Sequence, residues 1–130
     1  IIMASMVERE ARSAKVRTEI ASIILKRFNM GMKLDIDATV QYGLGYQKDE
    51  KSWWKRHLTK EDLKIDSPYN TYIISGLPPT PICNPSLSSL KAVADADPNV
   101  SYLYYYHDSK GNSHYAQTLE EHNANVANNP

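Results

Sequence analysis

The sequence predicts an α+β fold, and three patterns in its 130 residues predict it. Val16, Ile20, Ile23, Ile24 and Phe28 recur at helical spacing early in the chain. A tyrosine-rich segment, "VSYLYYYHDSKGNSHYAQ", reads as two short strands around a turn at Asp108 to Asn112. "TLEEHNANVA" then opens with a Thr118 to Glu121 capping box, the mark of a closing helix. Helices at both ends and a small late antiparallel hairpin place the chain in the mixed class.

Taken in order, Ile1 to about Ser13 combines good helix formers with apolar residues at Ile2, Met3, Met6 and Val7, and predicts a first helix. The stripe from Val16 to Phe28 predicts a second over about residues 15 to 30, with Gly31 placed to stop it in a left-handed conformation. The two form a short helical hairpin. In "MKLDIDATVQYGLG" the alternation of Leu34, Ile36, Ala38 and Val40 is consistent with either a short strand or an extended segment lining a site. Residues 46 to 58 are charged and aperiodic, a surface excursion whose Trp53 and Trp54 either stack on sugar rings or pack the excursion onto the body. Thr59 and Asp62 in "TKEDL" mark a helix start.

From Asp66 to Pro85 the chain is rich in turn formers yet carries Tyr69, Tyr72, Ile73, Ile74, Leu77 and Ile82, so it must be a packed loop. Within it Asn70, Thr71 and Tyr72 offer an amide, a hydroxyl and a ring, groups suited to gripping acetamido sugars. "NPSLSSLKAVA" predicts a helix with Asn84 as its cap and Pro85 in its first position.

Fifteen basic residues balance fifteen acidic ones, which gives no basis for a nucleic-acid partner or an anionic membrane surface; a neutral polymer or small molecule fits better. The single Cys83 excludes an internal disulfide and leaves the redox compartment open. The four histidines lack metal-ligand spacing, so no metal and no cofactor are expected. The chain starts at Ile1-Ile2 without an initiator Met, and reads as a piece of something longer.

Glu8 and Glu10 in "MVEREA" are the acidic residues best placed for chemistry. Two positions apart on a helix, they point roughly 200° from each other and cannot face one substrate as a pair. Glu8 follows Ile1, Ala4 and Ala11, a narrow seam in which a carboxyl can be partly desolvated while leaving room for a ligand; Glu10 lies near the core edge beside Met6 and Val7. A surface Glu8 paired with Arg9 or Arg12 is the competing reading.

Several long blocks, "ASMVEREA", "GMKLDIDATVQYGLG", "LTKEDLKIDSPYNTYIISGLPPTPICNPSLSSLKA" and "YLYYYHDSKGNSHYAQTLEEHN", are similar in content and order to the endolytic murein transglycosylases of the MltG or YceG-like family. The resemblance runs from Ala4 to about Val126. It implies a lysozyme-like cleft and non-hydrolytic cleavage of an internal MurNAc to GlcNAc β-1,4 bond, leaving a 1,6-anhydro-MurNAc end. It also implies a single glutamate acid, carried by Glu8 with Glu10 the weaker candidate, supported by Asp37, Thr39, Tyr42, Asn70, Thr71 and Tyr72. Residues 1 to 130 would then be the catalytic domain alone, without an N-terminal membrane anchor and a LysM-like region. Its expected partners are peptidoglycan strands and peptidoglycan synthases, at the extracytoplasmic face of the bacterial cell membrane. Where the family reads Leu-Gln-Ser-Asp-Pro-Thr-Val, this chain has Leu34-Asp35-Ile36-Asp37-Ala38-Thr39-Val40, and the lost Gln and Pro keep a non-catalytic glycan-binding module as the rival reading.

Overall fold

A computed structural model describes residues 1–130. In chain order it contains α1 (Ile2–Glu10), α2 (Ala14–Asn29), α3 (Asp37–Leu44), a 3-10 turn at Asp62–Lys64, α4 (Leu87–Ala94), β1 (Tyr104–His107), β2 (Ser113–Ala116) and α5 (Leu119–Asn128). The α+β class is as predicted. No helix is long and apolar enough to cross a membrane.

The hairpin of α1 and α2 forms as its apolar spacing requires, and its inner faces supply Met3, Met6, Val7, Ile20 and Ile24 to the core. Ser13 starts α2 by accepting a hydrogen bond from the Val16 amide at 3.3 Å. Gly31 follows its end at φ +71°, the left-handed geometry that a glycine adopts without a Cβ penalty. The buried stripe of α2 departs from the predicted one in its last turn. Arg27 is buried there, whereas Phe28 is exposed.

Leu34, Ile36 and Ala38 do enter the core, but not as a strand. The chain is extended up to Ile36 and then turns into α3. A strand would expose an unpaired edge here; the segment instead bonds sideways to the packed loop. The Asp35 amide donates to the Thr71 carbonyl at 3.2 Å, and the Ile36 amide donates to Thr71 Oγ1 at 2.8 Å. Thr39 Oγ1 donates to the Ile36 carbonyl at 2.6 Å and lies 2.8 Å from Thr71 Oγ1. Because the Thr39 proton is committed to Ile36, the bonding closes when Thr71 donates to Thr39. Both threonines are fully buried.

The packed loop itself is an ordered series of turns with Asn70, Thr71, Pro78 and Ile82 buried. Asn70 Nδ2 donates to the carbonyls of Leu63 and Ile65, each at 3.0 Å, which fastens the loop to the 3-10 turn. At the predicted helix start Thr59 caps as expected and exchanges reciprocal bonds with Asp62, though only three residues of 3-10 helix follow. The cap of α4 is Ser86, not Asn84, since Ser86 Oγ accepts from the Ser89 amide at 3.3 Å and the helix begins two residues later than its Pro85 suggests. In the hairpin, Tyr105 pairs with Tyr115 and His107 with Ser113, and Asp108 holds the turn by accepting from the Lys110 and Asn112 amides. Thr118 caps α5 as predicted.

Replacing Thr71 with Val keeps the shape but leaves the buried Ile36 amide without an acceptor. Thr71→Val should lower unfolding stability by about 1–3 kcal/mol, measured by urea denaturation.

Candidate functional site

Glu10 ends α1 and enters a cleft of about 450 Å³ whose walls come from distant parts of the chain. Asp35 and Asp37 line one side, Tyr72 comes from the packed loop, and Tyr105 and His107 come from β1. The helix delivers Glu10 at the point where it stops, so backbone and side chain both face the hairpin. Tyr105 donates its hydroxyl to Glu10 Oε2 at 2.9 Å. On the opposite wall Tyr72 donates to Asp37 Oδ1 at 2.6 Å.

Glu10 is half-buried, and desolvation pushes its carboxyl up to about 7 from an ordinary 4.5; the negative charge of Asp37 adds to the rise, while the Tyr105 hydroxyl and Arg9 oppose it. The Tyr105 and Tyr72 phenols are both pushed upward, chiefly by burial and also by the neighbouring carboxylates. They are therefore donors and not bases.

Glu8 has the opposite surroundings. Hydrogen bonds from the hydroxyls of Ser89 and Ser86 hold its carboxyl below the ordinary value, and Arg17, 3.6 Å away, adds to this. Because Ser86 caps α4, Glu8 sits at the positive end of that helix dipole and ties α1 to α4 and α2. A carboxylate so stabilised is a poor proton donor. The seam of small residues predicted to desolvate Glu8 instead brings it against serines, and the desolvated position is Glu10.

The other predicted site residues divide into two groups. Asp37 and Tyr72 line the cleft with Glu10. Thr39, Asn70 and Thr71 are wholly buried and bonded to backbone, so they support the cleft walls from behind. Tyr42 is not part of the cleft lining; it is exposed and packs against Tyr69 with ring centroids 4.7 Å apart.

Residues outside the predicted site set complete the site. Arg27 lines the cleft while buried, donating to the Leu34 carbonyl at 3.1 Å and reaching Asp35 Oδ2 at 3.5 Å. Asp35 has φ +51°, a left-handed conformation that aspartate tolerates better than most residues. Its carboxyl is raised by desolvation, against the pull of Arg27 and Lys33. His107 bonds to Ser113 Oγ through Nδ1 at 2.9 Å, and its buried Nε2 has no hydrogen-bond partner. Desolvation lowers its pKa, so the ring is neutral near pH 7; the nearby Glu10 carbonyl and Asp108 work the other way. A single arginine inside a helix and aromatic residues in a hairpin carry no sequence signal beyond core and strand; only the strand alternation that puts Tyr105 and His107 on one face could have linked them.

A second cleft of about 670 Å³ shares Glu10 and His107 with the first and extends past Arg9 and Arg12 to the hairpin turn. Glu10 thus stands where two clefts meet. No group of three or more His, Cys, Asp or Glu side chains is arranged to hold a metal ion.

A half-buried carboxyl thus stands between two connected clefts, faced by a second carboxylate and two phenols. The whole length supports a more specific relationship: the chain belongs to the YceG-like family, which it matches over residues 1–128. It is 41% identical over 123 residues to the endolytic murein transglycosylase of Bacillus subtilis, covering 95% of this chain and 32% of that protein. It is 30% identical over 130 residues to the endolytic murein transglycosylase of Streptococcus pneumoniae, covering 98% of this chain and 23% of that one. A YceG-like protein of Listeria monocytogenes has a crystal structure that superposes with a TM-score of 0.81 at 40% identity, over 95% of this chain and 37% of that one. The chain therefore spans about a quarter to a third of the curated relatives' length.

The hydrogen bond from Tyr105 stabilises the ionised form of Glu10. Tyr105→Phe should therefore raise the Glu10 pKa above about 7, read from the carboxyl carbon in an NMR titration. The raised folded-state pKa also has a stability consequence. Stabilisation from the protonated carboxyl is complete below about pH 4.5 and is lost as the pH rises through about 7. Glu10→Gln should remove this loss, leaving the variant more stable than the parent at pH 8 by about 1–3 kcal/mol in urea denaturation.

Proposed function

We propose that this chain is the glycan-cleaving part of a peptidoglycan lytic transglycosylase, with Glu10 as the proton donor. The observation that carries the reading is the environment of that one carboxyl: pushed to about 7 by desolvation, it remains substantially protonated at neutral pH where two clefts meet. The names of the Bacillus and Streptococcus relatives support the same substrate class.

The reaction needs no water. Glu10 protonates the oxygen linking MurNAc C1 to the next GlcNAc, and that bond breaks as positive charge develops at C1. The MurNAc N-acetyl oxygen supports the developing cation. The C6 hydroxyl of the same ring then attacks C1, and Glu10, now a carboxylate, takes the hydroxyl proton. The ring closes as 1,6-anhydro-MurNAc and the acid is restored. Holding an internal nucleophile in place replaces the second protein group that a hydrolase uses to activate water.

Asp37 has two parts in this scheme. Its charge keeps Glu10 protonated before the step, and a carboxylate facing the same cleft stabilises positive charge during it. Tyr72 holds that carboxylate in place, and Tyr105 returns stabilisation to Glu10 after the proton has left. Asp35, in the position where the family carries Gln, offers acceptors to sugar hydroxyls on the same wall. Asn70, Thr39 and Thr71 act through the walls they hold; the carboxylate of Glu8 fixes α1, and hence Glu10, against α4. Work at the extracytoplasmic face, on strands made by neighbouring synthases, follows from this substrate.

Purified glycan strands digested with the chain should give products one water lighter than hydrolytic ones by mass spectrometry, with 1,6-anhydro ends. Glu10→Gln should lower kcat/KM by about 10²–10⁴ while remaining folded, and Glu8→Gln should lose stability and less than about tenfold in kcat. In the parent, kcat/KM should fall as the pH rises through about 7, where Glu10 loses its proton. Reducing ends would mean hydrolysis, strand binding without products would mean a binding module, and a folded, active Glu10→Gln would remove the assignment.

A further inference from the structure

The excursion after α3 is an ordered platform. Gln47 and Ser52 bond to each other's backbone in both directions, at 2.7 and 3.3 Å, which closes the turn between them. Gln41 Nε2 on α3 donates to the Lys55 carbonyl at 2.7 Å, and the Lys55 ammonium meets Asp62 at 2.7 Å, which fastens the platform at its far end. The two tryptophans on it behave differently. Trp54 packs against the core, and the Arg9 guanidinium lies 3.8 Å from its ring centroid. Trp53 projects outward with 64% of its surface exposed, beside Tyr46 at 48%, their ring centroids 5.3 Å apart and tilted by 58°.

Single exposed apolar residues need no explanation, but two large aromatic rings held together on a closed turn form a local surface that water solvates poorly. The position of this surface matters more. Arg9 belongs to the lining of the second cleft, the one that meets the first at Glu10. Trp54 lies beneath Arg9, and Trp53 is its neighbour in the chain. The aromatic pair is therefore tied, through Trp54, to the Arg9 side of the second cleft.

We propose that Trp53 and Tyr46 form an outlying carbohydrate subsite that takes a hexosamine ring of the strand by stacking. A pyranose presents one face of C–H bonds, which releases water against an aromatic ring, and leaves its hydroxyl and acetamido groups free for solvent or for side chains nearby. Two tilted rings make a shallow step that fits such a face and places no demand on sequence. Asp49 and Glu50 stand within the same turn as Lys48 and Lys51, which favours a neutral polymer over an anionic lipid surface. This assignment rests on the glycan-cleaving reading and deepens it. The subsite would retain long strands and be out of use for short ones.

The test separates the two readings by measuring binding on a chain that cannot cut. Glu10→Gln protein is titrated with purified peptide-free glycan strands, and binding is followed by co-sedimentation and by quenching of tryptophan fluorescence. Adding Trp53→Ala should weaken strand binding about tenfold, whereas Trp53→Phe, which keeps a ring for stacking, should recover most of it. In the chain with Glu10 intact, Trp53→Ala should raise KM for long strands by a similar factor, leave kcat within about twofold, and leave cleavage of tetrasaccharides unchanged. Equal strand binding by parent and Trp53→Ala would overturn the subsite. So would loss, in Trp53→Ala, of binding to phosphatidylglycerol vesicles or of a concentration-dependent dimer while strand binding is kept. If no strand is ever cut but binding still depends on Trp53, the subsite stands and the catalytic reading fails.

Discussion

The hydroxyls of Thr39 and Thr71, 2.8 Å apart and sealed from solvent, join the two chain segments that make one wall of the cleft. Through them the extended run at Leu34 to Ile36 is bonded to a loop more than thirty residues further on, without a strand partner for either. Every polar group in this junction finds a partner: two hydroxyls, the amides of Ile36 and Thr71, and the Ile36 carbonyl. Such closure is what lets polar groups lie in a core without the penalty of unmet hydrogen bonds. Asp35, Asp37 and Tyr72 flank these buried groups and take their positions from them. The chemistry of the cleft therefore depends on residues that never reach it.

Glu8 and Glu10 show how environment divides labour between identical side chains. Two residues apart, they leave α1 in different directions, and each meets a different element. Glu8 meets the start of α4, where serine hydroxyls, a helix dipole and Arg17 all favour the charged form. Glu10 meets β1 and Asp37, where lost solvent and a like charge favour the neutral one. The same short helix thereby carries one carboxyl that favours its charged form and one that favours its neutral form.

The substitutions that distinguish this chain from the usual family pattern lie in the same wall. Ala38 stands in the first turn of α3 where the family has Pro; helix geometry there accepts alanine, because the amides of a first turn have no partner within the helix to lose. Asp35 replaces an amide with an acid, and the buried Arg27 beside it supplies the compensating charge.

Local pattern was enough for the helices of the first thirty residues, the hairpin with its Asp108 turn, the Thr118 cap and the packed nature of the loop from Asp66 to Pro85. In each, the deciding forces act within a few residues: apolar spacing, a cap, a turn preference. The family relationship was legible for a similar reason, since long blocks stay in order whatever their geometry. The segment at Leu34 to Gly45 was not legible, because alternation of apolar residues fits a strand as well as an extended run entering a helix, and the partner that decides lies at Thr71. Nor could spacing on α1 tell the anchoring glutamate from the one whose pKa is raised. That choice belongs to Ser86, Ser89 and Tyr105, some eighty to ninety-five residues away, because the pKa of a carboxyl depends on the groups and the solvent around it in space.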